Sequence, residues 1–168
     1  MQFGNARPLS AVVASARTLD PAAFATEHGP AFLLIDDAVA ATSSSEQRTI
    51  SVVGRMASAT PSAIFPLVRG KKATFDFVSI GRHENNDVVL PEASVSRFHA
   101  FVRQNGDAFT LQDAGSANGT LVDGKPVPKQ GAGDPVPLTP GAHVGFGDVR
   151  ATFLTAALFV ELARTVLG

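Results

Sequence analysis

From Ile64 onward the chain is a succession of short apolar runs broken by turn residues. Ile64–Val68, Phe75–Ile80, Asp87–Leu90, Phe98–Arg103, Phe109–Asp113, Thr120–Val122, Ala142–Phe146 and Val149–Leu154 predict strands, being rich in β-branched and aromatic residues and too short for most helices. Between them stand Arg69-Gly70-Lys71-Lys72, Asn105-Gly106-Asp107, Asp123-Gly124, Thr139-Pro140-Gly141 and Gly147-Asp148. Asn-Gly and Asp-Gly pairs supply the positive-φ residues that tight hairpins need. Strands recurring about every 8–12 residues point to a β-sandwich. Lys129–Pro137, with two Gly and two Pro, reads as a surface loop. The period then changes. Leu154, Leu158, Leu162 and Val166 recur four apart, with Glu161 and Arg164 free to face water, so Thr155–Leu167 is expected to close the chain as a helix.

The first 60 residues follow a different pattern. Asp20-Pro21 is a helix start, with Asp as cap and Pro at the first helical position; His28-Gly29 is a stop. Ala31–Ile35 is a short apolar run, more strand than helix, ending at Asp36-Asp37. Ala41–Gln47 is small and polar, a linker. Thr49–Val53 reads as a strand and Ala57–Ser62 as a turn. The layout is therefore an N-terminal extension and linker over 1–60, a β domain over 61–154 and a closing helix over 155–168. Phe24, Phe32, Leu33, Leu34, Phe153 and Phe159 are too many large apolar groups to leave in water, so the flanking segments are expected to pack on the sandwich.

Bulk properties narrow the function classes. The 168 residues are 45% hydrophobic and 17% charged, enough for a buried core. A net charge of −1 argues against a nucleic-acid binder, which ordinarily carries a basic excess. Cysteine is absent, which removes disulfides, thiol nucleophiles and Cys-ligated metals and fits a reducing, cytoplasmic setting. The longest apolar stretch, Ala151–Val160, is about half of the ~20 residues a membrane helix needs, and the N-terminus lacks a leader pattern. No membrane association is expected.

Three motifs fall in order between the strands: Gly81-Arg82, Ser96-Arg97-Phe98-His99 and Ser116-Ala117-Asn118-Gly119-Thr120. Arg82 follows a strand across a glycine turn, and its planar guanidinium suits a phosphate. Ser96 offers a short hydroxyl, Arg97 a second cation, and His99 a ring that can brace the loop. Asn118 both donates and accepts through its amide, as gripping a peptide backbone requires. Other sites are excluded. Gly119–Lys125 fits the start of a nucleotide P-loop, but Pro126 stands where Ser or Thr should begin a helix. Ser96 with His99 lacks a third group to orient the ring, so no catalytic residue, cofactor or metal site is assigned.

Ile80-Gly81-Arg82, Asn86-Asp87-Val88-Val89-Leu90, Ser94 to Ala100, Leu111-Gln112-Asp113 and Ser116-x-Asn118-Gly119-Thr120-x-Val122-x-Gly124 together resemble the forkhead-associated (FHA) domain from about Ile64 to Leu154. The resemblance implies a mainly β fold, a sandwich of two twisted sheets, here with a small α/β extension before it and a helix after it. It also implies a phosphothreonine-peptide reader in signalling. Arg82 and Ser96 are then expected on the phosphate, Arg97 on phosphate or peptide, and Asn118 on the peptide backbone. Gly81, His99 and Gly119 shape the loops. The partner would be a Thr-phosphorylated protein, and a separate Ser/Thr kinase would write the mark, since the chain carries no kinase signature. Ala117 departs from members that carry a hydroxyl there. Thr42, Thr49 and Thr60, upstream, are candidates for occupying the site in cis. The alternative is a phosphate-independent scaffold that binds its partner through the N-terminal extension or a sheet surface.

Overall fold

The computed structural model describes residues 7–35, 63–68 and 76–167. Among them the chain runs β1 (Arg7–Pro8), α1 (Leu9–Thr18), α2 (Pro21–His28), β2 (Ala31–Ile35), β3 (Ala63–Pro66), β4 (Val78–Gly81), β5 (Val88–Val89), β6 (Ala100–Asn105), β7 (Ala108–Asp113), β8 (Thr120–Val122), β9 (Lys125–Pro126), β10 (Val136–Leu138), β11 (His143–Phe146), β12 (Val149–Thr155) and α3 (Ala156–Leu167). The expected linker, the strand Thr49–Val53, the turns Ala57–Ser62 and Arg69–Lys72 and the three upstream threonines lie outside the described residues.

The strands form two sheets, in the orders β1-β3-β2-β12-β11-β8-β9 and β10-β7-β6-β4-β5. The fold is the mainly β sandwich the pattern implies. Alternation along each strand sends one set of side chains between the sheets. Leu33, Phe65, Val78, Ile80, Val102, Leu111, Val144, Phe146 and Phe153 meet there in one core. The eight expected strands appear at β3 to β8, β11 and β12, with ends shifted by a few residues. The turn chemistry also holds: Asp123 (φ 50°) and Gly124 (φ 81°) close the β8–β9 hairpin with two left-handed residues. That hairpin occupies the stretch that imitates a P-loop.

The N-terminal elements join the sandwich directly. β2 lies between β12 and β3, antiparallel to both. Leu33 faces the sandwich core, while Phe32 and Leu34 face outward into a second core. Burial on both faces explains why Ala31–Ile35 reads as a continuous apolar run. The second core is closed by helices. Leu9, Val12, Val13 and Ala16 form one stripe of α1, and Phe24 comes from α2. Phe159, Val160 and Ala163 come from α3. The rings of Phe24, Phe32 and Phe159 lie 5.3–5.5 Å apart, centroid to centroid. α2 starts as expected, with the Asp20 carboxylate accepting the Ala23 N–H at 2.8 Å. It ends at Gly29, whose N–H reaches the Ala25 carbonyl.

Three expectations are corrected. Lys129–Pro137 is not loop throughout: Val136–Leu138 is an edge strand on β7, and Pro137 is tolerated because an edge strand leaves one row of N–H groups unneeded. The sequence through Thr18 contains a helix that the reading above left unassigned. The closing helix is present with Leu154 and Leu162 buried as expected, but its buried stripe is wider, adding Ala156, Phe159, Val160 and Ala163, and Leu158 is only half-buried. No helix among the described residues is long and apolar enough to cross a membrane.

Candidate functional site

Backbone pairing beyond the ends of β4 and β6 creates the site. The His99 N–H donates to the Ile80 carbonyl, the Arg82 N–H to Ser96 and the His83 N–H to Arg97 (2.9, 2.9 and 3.2 Å). The loop after β4 and the loop before β6 are thereby zipped together, side by side. Asn86 reinforces the zip: its amide donates to the carbonyls of His83 (2.8 Å) and Arg97 (2.6 Å). Gly81 is needed where the two loops cross. A Cβ there would collide with the Arg97 carbonyl and sit 2.7 Å from the Asn86 amide.

The loop from Ala114 to Gly119 and the Gly147-Asp148 turn approach from the other sheet. Gly147 N–H donates to the Gly119 carbonyl (3.2 Å), and Asp148 N–H to the Ser94 hydroxyl (2.8 Å). His99 is the buried brace between the loops. The Ser96 N–H donates to its Nδ1 (3.0 Å), so the ring proton sits on Nε2 and is given to the Gly119 carbonyl (2.8 Å). Burial pushes the imidazole pKa down, against the opposing pull of the Gly119 carbonyl and the Asp113 charge. The ring is therefore held neutral, as this bonding requires.

Arg82, Ser96 and Asn118 are each tethered by one side-chain hydrogen bond and left open elsewhere. Arg82 gives Nε–H to the Val95 carbonyl (3.0 Å), which aims its two terminal nitrogens outward. The Ser96 hydroxyl oxygen accepts the Ala117 N–H (3.0 Å), leaving its own proton to donate. Asn118 gives one amide hydrogen to the Ser94 carbonyl (2.8 Å), leaving its oxygen and second hydrogen. Arg97 is exposed, and among the described residues no ion pair reaches Arg82 or Arg97. Arg82, Ser96, Arg97 and Asn118 thus share one end of the sandwich, and Gly81, His99 and Gly119 lie in the loops that hold them.

The residue that sequence reasoning quoted but gave no role is Asp113. Its carboxylate is buried at the end of β7. It accepts from the N–H groups of Gly115 (2.7 Å) and Ser116 (2.8 Å) and from the hydroxyls of Ser116 and Thr120 (both 2.6 Å). Ser116 Oγ in turn accepts the Gly119 N–H (2.9 Å). Burial alone raises a carboxyl pKa; the four hydrogen bonds outweigh it and hold Asp113 below its ordinary value of 3.8. One ionised carboxylate thus shapes the loop that carries Asn118. The readable signal was Asp with Ser three residues on, a side-chain-to-backbone turn. Among the described residues no group of three or more acidic or histidine side chains is placed to hold a metal ion.

Exposed donors on loops at one end of a rigid β-sandwich are the usual arrangement of a recognition domain. Residues 78–147 match the family model for the FHA domain, and the chain belongs to that family. It is 38% identical over 100 residues to the glycogen accumulation regulator GarA of Mycolicibacterium smegmatis, covering 56% of this chain and 60% of that protein. It is 33% identical over 102 residues to an oxoglutarate dehydrogenase inhibitor of Corynebacterium jeikeium, covering 57% and 67%. The fold is similar to the crystal structure of the FHA domain of CT664 protein from Chlamydia trachomatis. That match has a TM-score of 0.51 and 21% identity, over 74% of this chain and 96% of that one. The chain spans about three fifths of the length of the GarA regulators it matches.

Proposed function

We propose that this chain is a phosphorylation-dependent interaction module that binds a phosphothreonine peptide at the Arg82–Asn118 end of the sandwich. Arg82 and Ser96 contact the phosphate, Arg97 adds charge to phosphate or peptide, and Asn118 holds the peptide backbone. The observation that carries the reading is the tethering: each of Arg82, Ser96 and Asn118 is fixed by one internal hydrogen bond with its remaining donors unspent. A phosphothreonine brings roughly −1.5 to −2 charges and three acceptor oxygens. Hydrogen bonds to a charged group contribute roughly 1.5–3 kcal/mol each, so a few of them on a small interface give a reversible contact near the micromolar range after ordering costs.

The mark is written by a separate Ser/Thr kinase, and the chain acts in the cytoplasm without a cofactor and without catalysing a reaction. The recognition module is residues 61–154, supported by the extension before it and the helix after it. The names of the two relatives, a regulator and an inhibitor, support action on other proteins. An oxoglutarate-dehydrogenase-type enzyme is one class of target to include among the ligands tested.

The test is fluorescence anisotropy with a degenerate phosphothreonine peptide pool, its unphosphorylated form and a phosphoserine form. Selective binding of the phosphothreonine pool that is lost in Arg82→Ala, at unchanged thermal stability, is the expected result. Equal binding of phosphorylated and unphosphorylated pools by folded protein overturns the reading.

A further inference from the structure

Only two large apolar side chains among the described residues stand well into solvent, Val68 and Phe98. Phe98 is 42% exposed and follows Arg97 directly in the chain. It is part of an aromatic plate on the outer face of the five-stranded sheet. Its ring stacks on Phe101 and on Phe77, each at 6.1 Å with planes 18–21° apart. Phe77 and Phe101 pack on each other at 4.6 Å. The Arg103 guanidinium lies over both, 5.4 Å from Phe77 and 4.9 Å from Phe101. It also meets Asp76 at 3.7 Å, a loose surface pair whose carboxylate is 81% exposed. Phe101 and Arg103 sit on β6, opposite in phase to Ala100 and Val102 of the core, while Phe77 and Phe98 stand just before β4 and β6, so the plate is anchored on a strand at one side.

We infer that this plate is a second docking surface for the phosphorylated partner, taking a segment beside its phosphothreonine that carries a large apolar side chain next to a carboxylate. The inference rests on the phosphopeptide reading above and extends it. Three observations support it. The plate adjoins the phosphate end, Phe98 being one bond from Arg97. Phe98 is the ring a partner can still cover, and it is held in place by Phe101, itself only 2% exposed, so a large aromatic surface is offered at low ordering cost. The plate is also too small to hold a partner alone: one part-exposed ring and its neighbours fall far below the roughly 800 Å² per side of a stable protein pair. That argues against a second copy of this chain and for an accessory to a contact made next door. Arg103, held over the rings with its charge only loosely paired, supplies the preference for a carboxylate.

Phe98 exposes on the order of 80 Å² of a phenylalanine surface. Covering it corresponds to roughly tenfold to thirtyfold in affinity. The probes are a seven-residue phosphothreonine peptide selected from the degenerate pool and the same core extended on each side by ten degenerate residues. Wild-type protein is expected to enrich extended peptides with an aromatic or long aliphatic residue near Asp or Glu at a fixed distance from the phosphothreonine. The best of these should bind about tenfold to thirtyfold more tightly than the core. Phe98→Ser should erase that gain and leave core binding within about twofold; Arg103→Gln should erase the acidic preference and keep the apolar one. Core binding with no gain on extension, or a gain that Phe98→Ser leaves intact, overturns this inference alone. Failure of the core to bind overturns the phosphopeptide reading and this one with it. Self-association of wild type that disappears in Phe98→Ser would assign the plate to a second copy instead.

Discussion

Asp113→Asn separates the loop-shaping role of that carboxylate from its packing, because the two side chains differ little in volume. Oδ1 of Asp113 takes two backbone N–H groups and Oδ2 takes two hydroxyls, all within 2.8 Å and all buried or half-buried. Asparagine keeps one carbonyl oxygen for the N–H pair but points an N–H₂ at the hydroxyls. The Thr120 hydroxyl can turn and accept. Ser116 Oγ already accepts the Gly119 N–H, so its second lone pair must serve. All four bonds to the ionised carboxylate, of roughly 1.5–3 kcal/mol each, become neutral bonds of about 1 kcal/mol, a net loss of at least about 2 kcal/mol. Asp113→Ala leaves four donors without a partner and should cost about 4 kcal/mol or more.

For a chain of this size 1 kcal/mol moves the melting temperature by roughly 2–4 °C, so Asp113→Asn is expected to melt about 4–8 °C below wild type and Asp113→Ala about twice as far. Scanning calorimetry at pH 7 reads both. Phosphopeptide affinity should fall as well, because Asn118 rides on the loop that Asp113 folds. A melting temperature for Asp113→Asn within 1 °C of wild type, or an Asp113→Ala variant no worse than Asp113→Asn, would refute the account of this network.

His99 has a folded-state pKa below its ordinary 6.5, so its neutral form stabilises the fold fully above about pH 6.5, and that contribution is lost as pH falls through the folded value. Urea midpoints of wild type should therefore drop more between pH 7.5 and pH 5 than those of His99→Gln; parallel drops would refute the assignment. Gly81→Ala drives a methyl into the Arg97 carbonyl and the Asn86 amide, and overpacking of this kind costs about 1–3 kcal/mol. Its denaturation midpoint should fall and phosphopeptide binding should weaken together; retained affinity at reduced stability would show that the loops tolerate separation.

Much of the fold was legible because its signals are local. Strand alternation, the Asp20-Pro21 cap and the Asp123-Gly124 turn each depend on residues within a few positions of one another. α1 was legible in principle, since Leu9, Val12, Val13 and Ala16 have helical spacing, but its small residues make a weak contrast with their neighbours. β10 and β9 were not: each contains a proline and exists only because a neighbouring strand offers an edge to pair with. At the site, the exposed groups were found because guanidinium, hydroxyl and amide declare their chemistry in the sequence. Asp113 was not: its bonds to Gly115 and Ser116 leave only a common local turn signal, and what marks it out, its burial and the added Thr120 hydroxyl, comes from tertiary structure.

The position of β2 changes how the alternative reading must be tested. A scaffold that binds through its N-terminal extension invites removal of that extension, yet Ala31–Ile35 is bonded on one side to β12 and on the other to β3. Removing it takes Leu33 from the sandwich core and Phe32 and Leu34 from the second core. Three buried large side chains at about 2–5 kcal/mol each, lost together with the ladder bonds to both neighbours, are comparable to the whole net stability of roughly 5–15 kcal/mol typical of a domain. Loss of a partner after truncation would then report unfolding, whichever surface the partner uses. The helices pack on the outer face of the seven-stranded sheet through Phe24, Phe32 and Phe159, whereas Arg82, Ser96 and Asn118 stand on loops beyond the strand ends. Substitutions confined to exposed helix positions such as Arg17 and Glu161 leave both cores in place. Partner binding that falls with Arg17→Glu or Glu161→Lys but survives Arg82→Ala would assign recognition to the extension; the reverse pattern assigns it to the loops.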